Sequence, residues 1–95
     1  MLRQQSPNTT QVTFHYTDTQ AETFNVPISP DQFYQQLDAA ASQNWLVLHL
    51  FDQSITIRMQ HLVKVEIKPA IAELTGQGVF PNAERMTALK RGAMR

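Results

Sequence analysis

Three histidines and a set of scattered carboxylates are the only side chains in this sequence that could do chemistry, since it contains no cysteine. A metal site needs converging ligands. His15, His49 and His61 show no H-x-H or H-x3-H spacing, and no carboxylate stands at a matching offset. His15 and His49 could meet across strands of a sheet. Paired carboxylates for acid–base work would come from Asp18, Glu22, Asp31, Asp38, Asp52 or Glu66. Four of these fall at expected turns, caps or exposed helix positions. Glu22 and Glu66 fall on expected strands and are read as facing outward. There is no G-x-S-x-G, no P-loop and no G-x-G-x-x-G; Gly76-Gln77-Gly78 alone is a slight phosphate signal. The sequence therefore predicts no enzyme, with no catalytic residue, no bound cofactor and no metal ligand.

The basic residues say more. Residues 1–69 hold four bases against six acids, a net charge of −2, and residues 70–95 hold four bases against two acids, a net of +2. Arg85, Lys90, Arg91 and Arg95 all lie in the last eleven residues, which contain no acid. A slightly acidic body with a basic tail is the main electrostatic feature. A second basic group, Arg58, Lys64 and Lys68 with Glu66 and Thr56, is expected on the wet face of the last two strands. Phe80 sits in a small apolar cluster, Val79-Phe80-Pro81. These residues give the expected partner-binding set: Arg58, Lys64, Lys68, Phe80, Arg85, Lys90 and Arg91. The partner would be a protein assembly. The alternative is nucleic acid, bound by the same tail and the Arg58/Lys64/Lys68 face, although a net charge of zero argues against a dedicated nucleic-acid binder.

The elements that would position these groups can be read from periodicity. Val12, Phe14 and Tyr16 alternate with Gln11, Thr13 and His15, and Phe24 and Val26 continue the pattern beyond the polar residues 17–20; this predicts a β-hairpin. Ser29-Pro30-Asp31-Gln32 then predicts a helix start: an N-cap, proline at the first helical position and a capping box, with Ile28 and Phe33 as a hydrophobic staple. The helix is expected to run from Pro30 to Ser42, with Phe33, Leu37, Ala40 and Ala41 as its apolar stripe. Residues 45–69 predict three consecutive strands. In the first, both parities are apolar, which predicts a central strand covered on both faces. In the last, Val63, Val65 and Ile67 are expected to face one way and Lys64, Glu66 and Lys68 the other.

The order β-β-α-β-β-β predicts an α+β fold: a mostly antiparallel sheet, or a small partly open barrel, with one helix packed on a face. Residues 1–10 are read as a mobile N-terminus, 11–69 as one domain and 70–95 as a basic tail with a short helix over 83–91 capped by Asn82. One helix can cover only one sheet face. If it covers Leu46, Leu48 and Leu50, then Trp45, Val47 and Phe51 need the tail or a partner protein as cover. A ligand pocket near Tyr34, His49 and Trp45 is the third possibility, and a homodimer through an exposed last strand is a fourth.

No stretch has signal-peptide character, and none approaches the roughly 20 apolar residues that cross a bilayer. A cytoplasmic protein, or one peripheral to a membrane complex, is expected. The segments Leu50-Phe51-Asp52-Gln53, Leu62 to Pro69, and Gly78-Val79-Phe80-Pro81-Asn82-Ala83-Glu84-Arg85 resemble small conserved proteins of cyanobacteria and chloroplasts. Some proteins of that kind are accessory subunits of photosynthetic membrane complexes, including the NAD(P)H dehydrogenase-like complex. The resemblance carries no functional residue across; it implies a peripheral subunit rather than a free-standing enzyme.

Overall fold

A computed structural model of the chain describes residues 9–71 and 73–86. The alternating segments form strands and the capped segment forms the helix: β1 (Thr10–Tyr16), β2 (Ala21–Val26), α1 (Pro30–Gln43), β3 (Trp45–His49), β4 (Ser54–Arg58) and β5 (Leu62–Lys68). This is the expected β-β-α-β-β-β order and an α+β fold. The strands are all antiparallel but lie in two sheets, a three-stranded sheet β2-β1-β5 and a two-stranded ribbon β3-β4. They do not close into a barrel.

The division into two sheets changes how residues 45–69 are organised. A 3-10 turn, Met59–His61, separates β4 from β5. It carries β5 away from the ribbon and onto β1, so the three consecutive strands are not one floor. The Thr17 N–H donates to the His61 carbonyl at 2.9 Å, tying this turn to the β1–β2 connection. β3 is consequently not a central strand, because β4 alone pairs with it among the described residues.

β5 departs from simple alternation. His15 lies opposite Lys64, but the next residue, Tyr16, lies opposite Leu62. Val63 is thus the extra residue of a β-bulge, and a bulge reverses which side chains face inward beyond it. Leu62 packs against the core together with Val65 and Ile67. Val63, expected inside, is 65% exposed.

The core sits where the inner faces of both sheets meet α1. Val12, Phe14, Phe33, Ala40, Leu46 and Ile57 are buried there. Phe14 stands at its centre, tilted against Phe24 at 5.8 Å and Phe33 at 6.4 Å between ring centroids, a favourable aromatic geometry. Thr10, the one buried polar residue among the described residues, donates its hydroxyl to the Ile28 carbonyl at 2.6 Å, as a buried hydroxyl must find an acceptor.

Helix α1 begins as its sequence dictates. The Ser29 hydroxyl accepts from the Gln32 N–H, and the Gln32 side chain accepts from the Ser29 N–H. It ends one residue later than expected, at Gln43. Asn44 then adopts a left-handed conformation, φ 71°, and donates its N–H to the Ala40 carbonyl. Asparagine tolerates that conformation better than most residues, which suits it to the end of a helix. No helix among the described residues is long and apolar enough to cross a membrane.

At the termini, residues 1–8 of the expected mobile segment lie outside the described residues, while Thr10 is part of β1. Beyond Pro69 the chain returns toward the start of α1, where Ile71 and Leu74 are half-buried beside Asp31 and Tyr34. Asn82 has φ 64° and sits in a turn, a conformation unlike that of an N-cap. Residues 83–86 are not helical, and the rest of the expected 83–91 helix lies outside the described residues.

Candidate functional site

The ribbon has one buried face and one open face. Leu46 and Leu48 lie opposite Ile57 and Ile55 on the inner side. Period-2 geometry then forces Trp45, Val47 and His49 outward, opposite Arg58, Thr56 and Ser54. Trp45 is 44% exposed and Val47 49%, and Phe51, in the turn beyond β3, is fully exposed. The Arg58 guanidinium carbon lies 4.9 Å from the centroid of the Trp45 ring, within cation–π range. At the other end of the ribbon, His49 Nδ1 lies 2.7 Å from the Ser54 hydroxyl. Trp45 and His49, expected to share a pocket with Tyr34, thus lie on the ribbon's open face, while Tyr34 lines a depression with Ile71 and Leu74 beside α1.

A cleft of about 430 Å³ lies at the opposite edge of the ribbon. Four consecutive β4 residues, Ile55 to Arg58, form one wall, and Tyr16, Thr17, Asp18 and Glu22 of the β1–β2 hairpin form the other. His61 also lines it. The Tyr16 hydroxyl donates to Glu22 Oε1 at 2.8 Å. Burial pushes the Tyr16 phenol well above its ordinary value, and the hydrogen bond to Glu22 and the nearby charges of Glu22 and Asp18 add to the effect. Glu22 was expected to face outward. Glu22 is exposed, but counting by twos from Val26 through Phe24 puts it on the same side of the sheet as Tyr16, and that signal was present in the sequence.

The outer face of the three-stranded sheet is polar. His15 Nε2 lies 3.0 Å from Glu66 Oε1, and an Arg85 side-chain nitrogen lies 3.4 Å from Glu66 Oε2. The bond from His15 is the chief reason the Glu66 carboxyl titrates below the ordinary range, with the Lys64 and Arg85 charges assisting against a partial burial cost. His15 and His49 lie in different sheets and do not meet. No group of three or more potential metal ligands occurs among the described residues.

The expected partner-binding residues are thus only partly brought together. Lys64 and Lys68 share the outer face of β5 with Glu66, and Arg85 joins them through that carboxylate. Arg58 belongs to the other sheet, stacked on Trp45, so no single Arg58/Lys64/Lys68 face exists. Phe80 is 81% exposed. Lys90 and Arg91 lie outside the described residues. No family model, no curated protein and no solved structure matches the chain.

Proposed function

We propose that this chain is a non-catalytic protein-interaction module, an accessory subunit that docks on a larger assembly. One observation carries the reading: the outer face of the β3–β4 ribbon presents an exposed Trp45 with Arg58 stacked on it and an exposed Val47, and the turn beyond β3 adds the fully exposed Phe51. Tryptophan and arginine are the residue types that most often dominate binding energy at protein interfaces. A two-stranded ribbon whose open face carries an exposed tryptophan and valine among polar residues offers a partner an apolar anchor with a polar rim. The sequence resemblance to small cyanobacterial and chloroplast proteins makes a photosynthetic complex the first assembly to test, with the chain in the cytoplasm or at the periphery of the membrane complex.

The nucleic-acid reading has less support. Arg58 is separated from Lys64 and Lys68, and Arg85 is engaged by Glu66. Capture from a native extract, with and without nuclease, tests both readings. Full-length protein is compared with the double variant Trp45→Ser/Phe51→Ser and with a chain ending at Pro69. A nuclease-resistant protein partner held by the wild type and released by the double variant supports the ribbon face. A partner released only by the truncation places docking on the tail, and a signal that nuclease abolishes replaces the proposal with nucleic-acid binding.

A further inference from the structure

The cleft beside β4 has a feature that the ribbon's outer face lacks: a free strand edge. β4 pairs only with β3, and no other backbone hydrogen bond reaches residues 54–58 from the described chain. The direction of its free groups follows from the ladder. The Leu50 N–H donates to the Gln53 carbonyl at 2.7 Å and the Met59 N–H to the Asn44 carbonyl at 3.0 Å. Hydrogen-bonded and non-hydrogen-bonded pairs alternate in an antiparallel ladder. Between those two fixed points the bonded pairs are Leu48 with Ile55 and Leu46 with Ile57. Ser54, Thr56 and Arg58 therefore turn their N–H and C=O groups away from β3. Thr56 and Arg58, whose backbone groups turn away from β3, are among the residues that line the cleft.

We infer that this cleft receives an extended peptide segment of a partner protein, which adds to β4 as a third strand of the ribbon. Strand addition to an exposed edge draws affinity from main-chain hydrogen bonds and specificity from alternate side chains. β4 also lacks the usual edge protection. Ser54-Ile55-Thr56-Ile57-Arg58 contains no proline and no lysine, and only its last residue is charged. A two-stranded ribbon gains most from a third strand. The walls define the peptide. Ile55 and Ile57 offer apolar contact to its inward residues, and Asp18 and Glu22 on the facing wall, two acids against the single arginine Arg58 among the lining residues, select lysine or arginine beside them. The cleft's volume of about 430 Å³ lies in the roughly 300–1,000 Å³ range of ligand-holding clefts. Arg58 borders both this edge and the outer face, but Trp45 and Phe51 do not line the cleft, so the Trp45→Ser/Phe51→Ser variant and the peptide titration report on the two sites separately.

The test uses the full ¹⁵N-labelled chain and an end-capped heptapeptide alternating lysine with valine. A second peptide replaces lysine with glutamate. Two more carry backbone N-methyl groups, one on the valines and one on the lysines. Alternate residues present their N–H groups to opposite edges, so only one methylated peptide should fail to bind. The expected result is perturbation of the Ser54, Thr56 and Arg58 amides, binding at least tenfold weaker for the glutamate peptide, and loss with one methylated peptide alone. The inference is overturned by unmoved amides at millimolar peptide, by equal affinity for the glutamate peptide, or by two methylated peptides that behave alike. Perturbation of the same amides by raising protein concentration without peptide would assign the edge to a second copy of the chain, and would also overturn it.

Discussion

The Arg58 guanidinium lies over the ring of Trp45, 4.9 Å from its centroid, with the two residues directly opposite each other on the ribbon. Both side chains are exposed. A cation–π contact at such a site contributes about 0.5–1 kcal/mol. Arg58→Ala should therefore lower folding stability by less than about 1 kcal/mol while changing the emission of the single tryptophan. Denaturant unfolding and fluorescence of the variant check this. A loss of several kcal/mol would mean that Arg58 supports the fold rather than the surface.

The bulge in β5 makes opposite predictions for neighbouring leucine and valine. Leu62 packs on the core and Val63 points to solvent. Leu62→Ala should cost about 1–2 kcal/mol, below the fully buried range because the site is only half-buried. Val63→Thr should stay within about 0.5 kcal/mol. Urea melts of the two variants decide it, and a costlier Val63 change would show that β5 runs straight.

The N-cap of α1 offers an independent check. Ser29→Ala removes the hydroxyl that receives the Gln32 N–H. A loss of about 1 kcal/mol is expected, and Ser29→Asp should restore most of it because aspartate caps equally well. Thermal melts of the two variants that gave the same loss would indicate that capping is not the cause.

The helix and the first hairpin were legible in the sequence because their signals are local. A capping box, a staple and an asparagine helix end act within a few residues, and period-2 alternation in β1 and β2 needs no knowledge of distant partners. The placement of β3, β4 and β5 was not legible in this way. Apolar residues on both parities of β3 fit a covered central strand and an open ribbon equally well. Only the 3-10 turn at Met59–His61, which sends β5 to β1, distinguishes them. The same turn separates Arg58 from Lys64 and Lys68. Val63 was misplaced because one inserted residue reverses strand parity without leaving a mark in composition. The Tyr16–Glu22 contact was accessible to counting by twos, and the His15–Glu66 contact was not, because it required knowing that β5 pairs with β1.

The His15–Glu66 pair predicts acid sensitivity. The folded state lowers the Glu66 pKa, so the native chain binds fewer protons there than the unfolded chain around the carboxylate range. Stability from this group is fully present above the ordinary glutamate value near 4.3 and is lost as pH falls through the lower folded value. Glu66→Gln keeps a hydrogen-bond acceptor but removes the charge. The variant should be slightly less stable than wild type at pH 7, and the difference should be smaller at a pH below the ordinary glutamate range. High salt should shrink it as well, since the site is open to solvent. Urea unfolding at both pH values measures this, and a difference independent of pH would remove the electrostatic account.

Tyr16 predicts the opposite dependence at alkaline pH. Its folded pKa is raised, by burial first and by the bond to Glu22 second. The native chain therefore holds the phenol proton more tightly than the unfolded chain does. Stability from this group is intact below the ordinary phenol value of about 10 and falls as pH rises above it. Tyr16→Phe deletes both the titrating group and the bond to Glu22. Below pH 9 the variant should be less stable by up to about 1 kcal/mol, the usual contribution of a partly exposed hydrogen bond. Above pH 10 the wild type should lose stability faster than the variant, so the two curves converge. Phenolate absorbance adds a second readout, because one tyrosine of the wild type should ionise only as the chain unfolds, and that step should be missing in the variant. Parallel stability curves across pH 7–11 would show that Tyr16 is free to ionise in the folded protein, and that the wall of the cleft it shares with Glu22 is wetter than its burial implies.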